Sequence, residues 1–211
     1  LVRELRSRGY RVFGIDAAHC ADPDCFRADI SNSRQVAAAI DRIGYSIHHV
    51  YHLAAEFGRN NGEEFTEQLW ATNCVGTRNM MDAACRVGAR FYFASSSEVY
   101  GENAAPRLTE DLTDRTPDFH NEYAISKFTN ELQVLNFRKR HPKFSATVLR
   151  FFNAYGPGEY YHPYRSVVSL FCHRAIHGER VDVFQGYHRT FMYVDDFIPT
   201  LANVSQASLE S

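Results

Sequence analysis

Short apolar runs of β character alternate with longer stretches of helical period. This order predicts an α/β fold built on a mostly parallel sheet. Leu1 to Arg8 reads as the tail of a helix, with Gly9 as its stop. Arg11 to Asp16 reads as a strand ending in an acid, and Ser31 is placed as the N-cap of a helix running to about Arg42. Val50 to Ala55 is a second strand, Glu63 to Arg86 a long helical stretch ending at Gly88, and Phe91 to Ser95 a third strand. Glu122 to Arg140 is helical and is closed by His141-Pro142, and Ala146 to Arg150 is a fourth strand. After Pro157 the pattern loosens, and one more helix is predicted over Val167 to His177.

A helix in first position, followed by a strand ending in Asp16, is the second half of a βαβ unit. Dinucleotide-binding folds set a ribose-binding acid about 20 residues beyond a glycine-rich turn. Counting back from Asp16 runs off the chain, and the close at Leu209-Glu210-Ser211 brings no finishing element. The expectation is therefore an internal piece of a longer protein. Its fold is expected to be a Rossmann-type doubly wound parallel sheet that lacks its first strand and glycine-rich loop. Residues 1–156 would form the dinucleotide-binding domain and 157–211 the start of a smaller substrate-binding region.

Composition narrows the class. The chain has 211 residues, 45% hydrophobic and 23% charged, enough for one sizeable core. A net charge of −2 provides no basic field to attract nucleic acid or anionic lipid. No apolar run is long enough to cross a bilayer, and no signal-peptide pattern is present. Five cysteines at irregular spacing argue against a disulfide framework and for a reducing compartment, the cytoplasm being simplest.

The chemistry begins at Tyr123-Ala124-Ile125-Ser126-Lys127. Tyr and Lys four apart share one helix face. A tyrosine with an ordinary pKa near ~10 is a poor base at neutral pH. A nearby ammonium favours its phenolate, so the pair can take a proton from a hydroxyl. Alone the pair is weak, since the same spacing arises on ordinary surface helices. A second signal, Phe93-Ala94-Ser95-Ser96-Ser97-Glu98-Val99-Tyr100-Gly101, puts hydroxyls at the carboxyl end of a strand, where open α/β sheets bind ligands. A serine there can hydrogen-bond a reacting hydroxyl or a developing carbonyl oxygen, although serines are also common in plain turns.

The two signals in this order resemble the extended short-chain dehydrogenase/reductases, specifically the NAD-dependent nucleotide-sugar epimerases and dehydratases. Further matches come in sequence order: His52-Leu53-Ala54-Ala55, Asn73-Cys74-Val75-Gly76-Thr77, Arg150-Phe151-Phe152-Asn153-Ala154-Tyr155-Gly156-Pro157 and Arg189-Thr190-Phe191-Met192-Tyr193-Val194-Asp195-Asp196. The resemblance implies NAD as cofactor, held by Asp16 at the adenosine ribose, Asp29 and Ile30 at adenine, and Leu53, Ala54, Ala55, Asn73 and Phe151 along the cleft. Tyr123 and Lys127 complete that set. It implies Ser96, Tyr123 and Lys127 as the catalytic set, and a nucleotide-diphosphate sugar as substrate, contacted by Ser96, Asn153 and Arg189. No metal is implied. Two long helices, Glu63 to Arg86 and Glu122 to Arg140, correspond to those through which the family often forms a homodimer.

The family's shared step is oxidation at sugar C4 to a 4-keto intermediate. Ser97 and Glu98 occupy the positions where dehydratases carry an acidic or hydroxyl residue and then the glutamate that takes the C5 proton. The same Ser-Glu pair resembles UDP-glucuronate decarboxylases, and epimerase relatives carry Glu there too. Dehydratase and epimerase readings therefore stay open together, with a decarboxylase as the alternative. A non-catalytic NAD-binding module or an inactive fragment is the remaining possibility; retention of Ser96, Tyr123 and Lys127 speaks against the module. His173 with His177, and His19 with Cys20 and Cys25, lack the further ligands a metal needs and are read as a helix face and an adenine-side loop. Tyr160, Tyr161, His162 and Tyr164 read equally as a stacking surface or a packed loop.

Overall fold

The computed structural model describes residues 1–102, 107–113, 117–162, 167–183, 185–186 and 188–207. The elements in chain order are α1 (Val2–Ser7), β1 (Gly14–Asp16), β2 (Cys25–Arg27), α2 (Ser33–Ile43), β3 (His49–His52), α3 (Arg59–Glu64), α4 (Thr66–Trp70), a π-helical turn (Ala71–Gly76), α5 (Thr77–Val87), β4 (Arg90–Ser96), short 3₁₀ turns at Ser97–Tyr100 and Glu110–Thr113, α6 (Glu122–Arg140), β5 (Ala146–Phe151), β6 (Asn153–Tyr155), α7 (Val167–Ile176), β7 (Phe191–Tyr193) and α8 (Val194–Ala207). They fall into two compact units, Phe13–Phe151 and Leu1–Val12 with Phe152–Ser211.

In the larger unit every strand pairing is parallel, β1 with β2 and β3–β4–β5 in a second sheet. This is the Rossmann-like α/β architecture expected. Strand β4 is the centre of its sheet, and Phe91, Tyr92 and Phe93 are each at most 1% exposed. Burial on both faces is why this strand reads as a continuous apolar run instead of an alternating one. Val36, Ile40 and Ile43 of α2, Met80, Met81 and Ala84 of α5, and Val134 and Phe137 of α6 pack with Val50, Phe91, Phe93 and Ala146 in one core.

Several boundaries differ from expectation for local reasons. The N-cap of α2 is Asn32, whose side chain accepts from Arg34 N at 3.1 Å and Gln35 N at 3.2 Å. Ser31 instead turns its hydroxyl to Asp29 Oδ1 at 2.7 Å. The single helix expected from Glu63 to Arg86 is broken at Phe65 (φ −124, ψ 53) and again by the π-helical turn. At the end of that turn Gly76 lets the helix approach Ile30: a Cβ there would lie 2.7 Å from Ile30 Cδ1.

The cysteine expectation needs a correction, because Cys20 and Cys25 are disulfide-bonded, with Cα atoms 6.3 Å apart. Cys25 opens β2 opposite Gly14 of β1, and the loop between the two strands carries Cys20 back to it. A count of cysteines along the chain cannot register that return. Cys74, Cys85 and Cys172 are free.

In the smaller unit β6 and β7 pair in parallel, and α1 packs on α8. Arg8 ties them, donating to Asn203 Oδ1 at 2.6 Å and to Pro199 O at 3.1 Å. Among the described residues no helix is long and apolar enough to cross a membrane.

Candidate active site

Three segments of the larger unit assemble the site. Strand β4 ends at Ser96, whose Oγ accepts from the Glu98 backbone N–H at 3.2 Å and so starts the 3₁₀ turn that carries Ser97 and Glu98. Helix α6 starts at Asn121, whose Oδ1 caps Ala124 N at 2.8 Å while its Nδ2 lies 3.5 Å from Glu98 Oε2. This cap sets Tyr123 in the first turn and Lys127 one turn later on the same face. The third segment is the π-helical turn, tied to α6 by Asn73, which donates from Nδ2 to Ser126 Oγ at 3.1 Å and accepts at its carbonyl from Asn130 Nδ2 at 2.9 Å.

The Ser96 hydroxyl stands near the Tyr123 phenol and favours its ionised form. Lys127 is 4% exposed, donates to Ala94 O at 2.8 Å, and holds its Nζ 5.7 Å from the Tyr123 ring centre and 5.2 Å from that of Phe93. Burial pulls the Lys127 ammonium down to about 8. Burial pushes the Tyr123 phenol up to about 12; the Ser96 hydroxyl acts in the opposite direction and the Glu98 carboxylate adds to the rise. The hydroxyl, phenol, ammonium and carboxylate expected from the sequence are therefore gathered in one place.

Most residues expected at the cofactor lie at strand ends or just beyond them. Asp16 ends β1 exposed, with Oδ1 accepting from Ala18 N at 2.8 Å. Asp29 accepts from the N–H and hydroxyl of Ser31, at 2.8 and 2.7 Å, and Ile30 is buried against Gly76. Leu53 and Ala54 stand exposed just beyond β3, with Ala55 half-buried. Phe151 ends β5 in register with Ser96. Asn73 is 1% exposed and clamps the segment after Ala55: its Oδ1 accepts from Glu56 N at 2.8 Å and its Nδ2 donates to Glu56 O at 3.0 Å and Ser126 Oγ at 3.1 Å. An exposed acid at one strand end, an exposed apolar-and-alanine segment beyond another, and a lysine–tyrosine pair beyond a third fit a dinucleotide laid across carboxyl ends of parallel strands.

Asn153 and Arg189 belong to the smaller unit and come together there. Asn153 donates from Nδ2 to Thr190 O at 2.9 Å, and Arg189 is the exposed residue next to it. Tyr161 stacks on His173 at 3.6 Å between ring centres, and His173 on His177 at 4.2 Å; Tyr164 lies outside the described residues. Among the described residues no three His, Cys, Asp or Glu side chains are grouped to hold a metal ion.

Sequence reasoning gave no site role to Asn121, His52, Ser95, Glu131 and Arg150, although His52, Ser95 and Arg150 stand within the motifs it quoted. Asn121 carries a capping signal, a lone Asn ahead of a helical run, that was legible in principle. His52, buried with its Nε2 2.9 Å from Thr77 Oγ1, and the cluster Ser95–Glu131–Arg150 depend on contacts between distant segments.

Comparison with known proteins agrees with this geometry. The model of the NAD dependent epimerase/dehydratase family matches residues 1–208. The UDP-N-acetyl-alpha-D-glucosaminuronate decarboxylase of Bacillus cytotoxicus is 35% identical over 153 residues, 71% of this chain and 47% of that protein. The UDP-glucose 4-epimerase of Thermotoga maritima, solved with UDP-glucose, superimposes with a TM-score of 0.81 at 25% identity, over 93% of this chain and 66% of that one. MoeE5, solved with UDP-glucuronic acid and NAD, superimposes with a TM-score of 0.78 at 30% identity, over 95% of this chain and 65% of that one. The chain spans about half the length of the curated relatives it matches.

Proposed function

The chain belongs to the NAD-dependent epimerase/dehydratase family, and from that premise we propose that the protein oxidises a nucleotide sugar at C4 and that its substrate is a UDP-hexuronate, which it decarboxylates. The observation that carries the C4 step is Tyr123 and Lys127 on one face of α6, the Lys127 Nζ 5.7 Å from the Tyr123 ring centre, with Ser96 near the phenol at the end of β4. NAD, when bound, supplies the hydride acceptor and a positive charge. Asp16 and the 53–55 segment would hold it, and Lys127 would reach its nicotinamide ribose. Ser96 and Tyr123 would grip the sugar C4 oxygen, with Tyr123 taking its proton. Arg189, an always-charged planar donor, is assigned the diphosphate, and Asn153 a place beside it.

The fate of the 4-keto sugar is decided at Ser97 and Glu98. In a dehydration, hydroxide leaves C6 and needs a proton donor, and Ser97 is the hydroxyl form of that donor, a weaker acid than the carboxyl form. In a hexuronate, the 4-keto group makes the C6 carboxylate part of a β-keto acid. Carbon dioxide then leaves without a donor at C6, its electrons flow into the C4 carbonyl held by Ser96 and Tyr123, and a proton is added at C5; return to C4 of the hydride and proton taken there would complete the reaction, with Tyr123 giving back the proton. Glu98, two residues from Ser96, is the nearest acid on that turn. The Bacillus decarboxylase supports a uronate over a neutral sugar. A 4-epimerase is the second reading, favoured by the Thermotoga superposition.

The test is incubation of the intact protein with NAD and a panel of UDP-, dTDP-, GDP- and CDP-sugars that includes UDP-hexuronates, with product masses read out. Loss of carbon dioxide from a hexuronate is the expected outcome. Unchanged mass with a new stereoisomer by NMR would install the epimerase reading, and loss of water would restore dehydration.

A homodimer is proposed on the family's habit and on exposed apolar side chains: Phe65 at the break before α4, Val75 in the π-helical turn and Leu132 and Leu135 on α6 are each about half exposed. Sedimentation of the intact protein is expected to give a dimer that Leu132→Glu converts to monomer. A monomeric wild type would remove this proposal.

A further inference from the structure

Behind the site lies a buried cluster that the reaction itself does not use. Glu131 is 5% exposed, and its Oε1 accepts from Ser95 Oγ at 2.5 Å and from Arg150 Nε at 3.0 Å. Its Oε2 accepts from Arg150 Nη2 at 2.8 Å, so the guanidinium and carboxylate meet fork to fork. Arg150 also donates to the Tyr100 hydroxyl at 3.3 Å and to Glu110 O at 3.1 Å, and its guanidinium lies 5.0 Å from the Tyr100 ring centre.

The partners occupy telling positions. Ser95 precedes Ser96 on β4 and is in register with Arg150 on β5. Tyr100 closes the 3₁₀ turn that carries Ser97 and Glu98. Glu131 is on α6, one helical turn beyond Lys127 and two beyond Tyr123. The Ser95–Glu131 bond ties α6 to β4 one residue before Ser96, and Tyr123 lies two turns before Glu131 on the same helix. A shift of α6 along β4 by a fraction of a helical rise strains the Ser95–Glu131 bond and displaces the Tyr123 phenol from Ser96 together.

A buried ion pair is a poor source of stability compared with apolar packing of the same volume, but its two fixed donor vectors define one geometry. We infer that Ser95, Glu131 and Arg150 are positioning residues that key the register of α6 on β4, and through it the Ser96–Tyr123 alignment on which hydride and proton transfer at C4 depend. This inference rests on the C4-oxidation reading for its kinetic consequence, while its structural core, the alignment of Ser96 with Tyr123, does not.

The gentlest probe is Ser95→Ala, which deletes one hydroxyl and leaves the ion pair intact. Ser95→Thr keeps the hydroxyl. In the intact protein, with whichever nucleotide sugar it turns over, Ser95→Ala is expected to lower kcat about tenfold to a hundredfold with KM held within about twofold. With substrate deuterated at C4, the isotope effect on kcat is expected to rise, because the misaligned hydride step becomes limiting. Ser95→Thr is expected to restore both. Glu131→Gln should act in the same direction and more strongly. A purely structural role would lower the melting temperature or the active fraction without moving the isotope effect.

A measurement that needs no substrate separates this inference from the functional reading. In protein labelled at the tyrosine ring carbon bearing the hydroxyl, the Tyr123 resonance, assigned by Tyr123→Phe, is expected to move in Ser95→Ala and return in Ser95→Thr. A resonance unmoved by Ser95→Ala overturns the inference whether or not any sugar is turned over. An unchanged kcat and isotope effect in Ser95→Ala overturns it as well. A wild type that turns over no nucleotide sugar defeats the functional reading alone, and the Tyr123 resonance then decides the inference.

Discussion

Replacing Tyr123 with Phe is expected to lower turnover of the nucleotide sugar by about a hundredfold to ten-thousandfold, the range that a positioned general base contributes. The substitution removes one oxygen from a ring whose hydroxyl lies near that of Ser96. Ring packing stays in place, so KM and the melting temperature should move little, and the loss should fall on kcat. The protonation state explains why the rest of the constellation is needed. With its phenol pushed up to about 12 by burial, Tyr123 is an acid in the unliganded protein and cannot serve as a base at neutral pH. Positive charge must lower it. Lys127, still largely an ammonium below about pH 8, supplies part of that charge from 5.7 Å, and the cofactor supplies the remainder when bound. Lys127→Met is therefore expected to shift the acid limb of the kcat profile to higher pH. Stopped-flow absorbance of the reduced cofactor in the intact protein measures both effects. A Tyr123→Phe variant within about tenfold of wild type would remove Tyr123 from the role of base.

The parts of this site that were legible in the sequence are those encoded by local spacing. Tyr123 and Lys127 lie one helical turn apart, so a linear pattern already placed them on one face. Strand β4 announced itself through Phe91-Tyr92-Phe93 because burial on both faces demands an unbroken apolar run. Strands β2, β6 and β7 have three residues each, too few to display a period. Helix α8 contains Pro199, which sequence reasoning takes as a stop. The Ser95–Glu131–Arg150 cluster was invisible for a different reason: its bonds link positions 36 and 19 residues apart, and each residue alone looks like an ordinary turn serine or surface charge. Asn73 was read as a cofactor contact from its motif. Its burial and its bonds to Glu56 give the same residue a positioning role for the segment after Ala55, and such a bond between loop backbone and a helix side chain leaves no linear trace.

Acid destabilisation of the fold is expected to centre on His52. This side chain is 3% exposed, lies between the rings of Phe91 and Phe93 at 5.7 and 6.0 Å, and shares a hydrogen bond with Thr77 at 2.9 Å. Burial, assisted by the charge of Lys127, holds its pKa down at about 3 against an ordinary value of 6.5. Between those two values the unfolded chain carries one proton more than the folded chain at this residue. Stability therefore rises with pH across the window, is complete above about 6.5, and is lost progressively as the pH falls toward about 3. At about 1.4 kcal/mol per unit, the full contribution is on the order of 4 to 5 kcal/mol, a large share of a typical domain's stability. His52→Gln cannot take up the proton. It is expected to be less stable than wild type at neutral pH, through lost ring packing, but to lose less stability between pH 6.5 and pH 4. Urea unfolding at a series of pH values gives both curves, and parallel slopes for the two proteins would show that the acid sensitivity arises elsewhere. The consequence reaches the active site through Thr77. A His52 protonated on both ring nitrogens can only donate to the Thr77 hydroxyl, and Thr77 opens α5 directly after the π-helical turn that holds Asn73, so a charge forced onto this buried ring bears on that turn. Loss of the 53–57 segment's clamp should therefore precede global unfolding on the acid side, a local opening that hydrogen exchange at Glu56 N would register first.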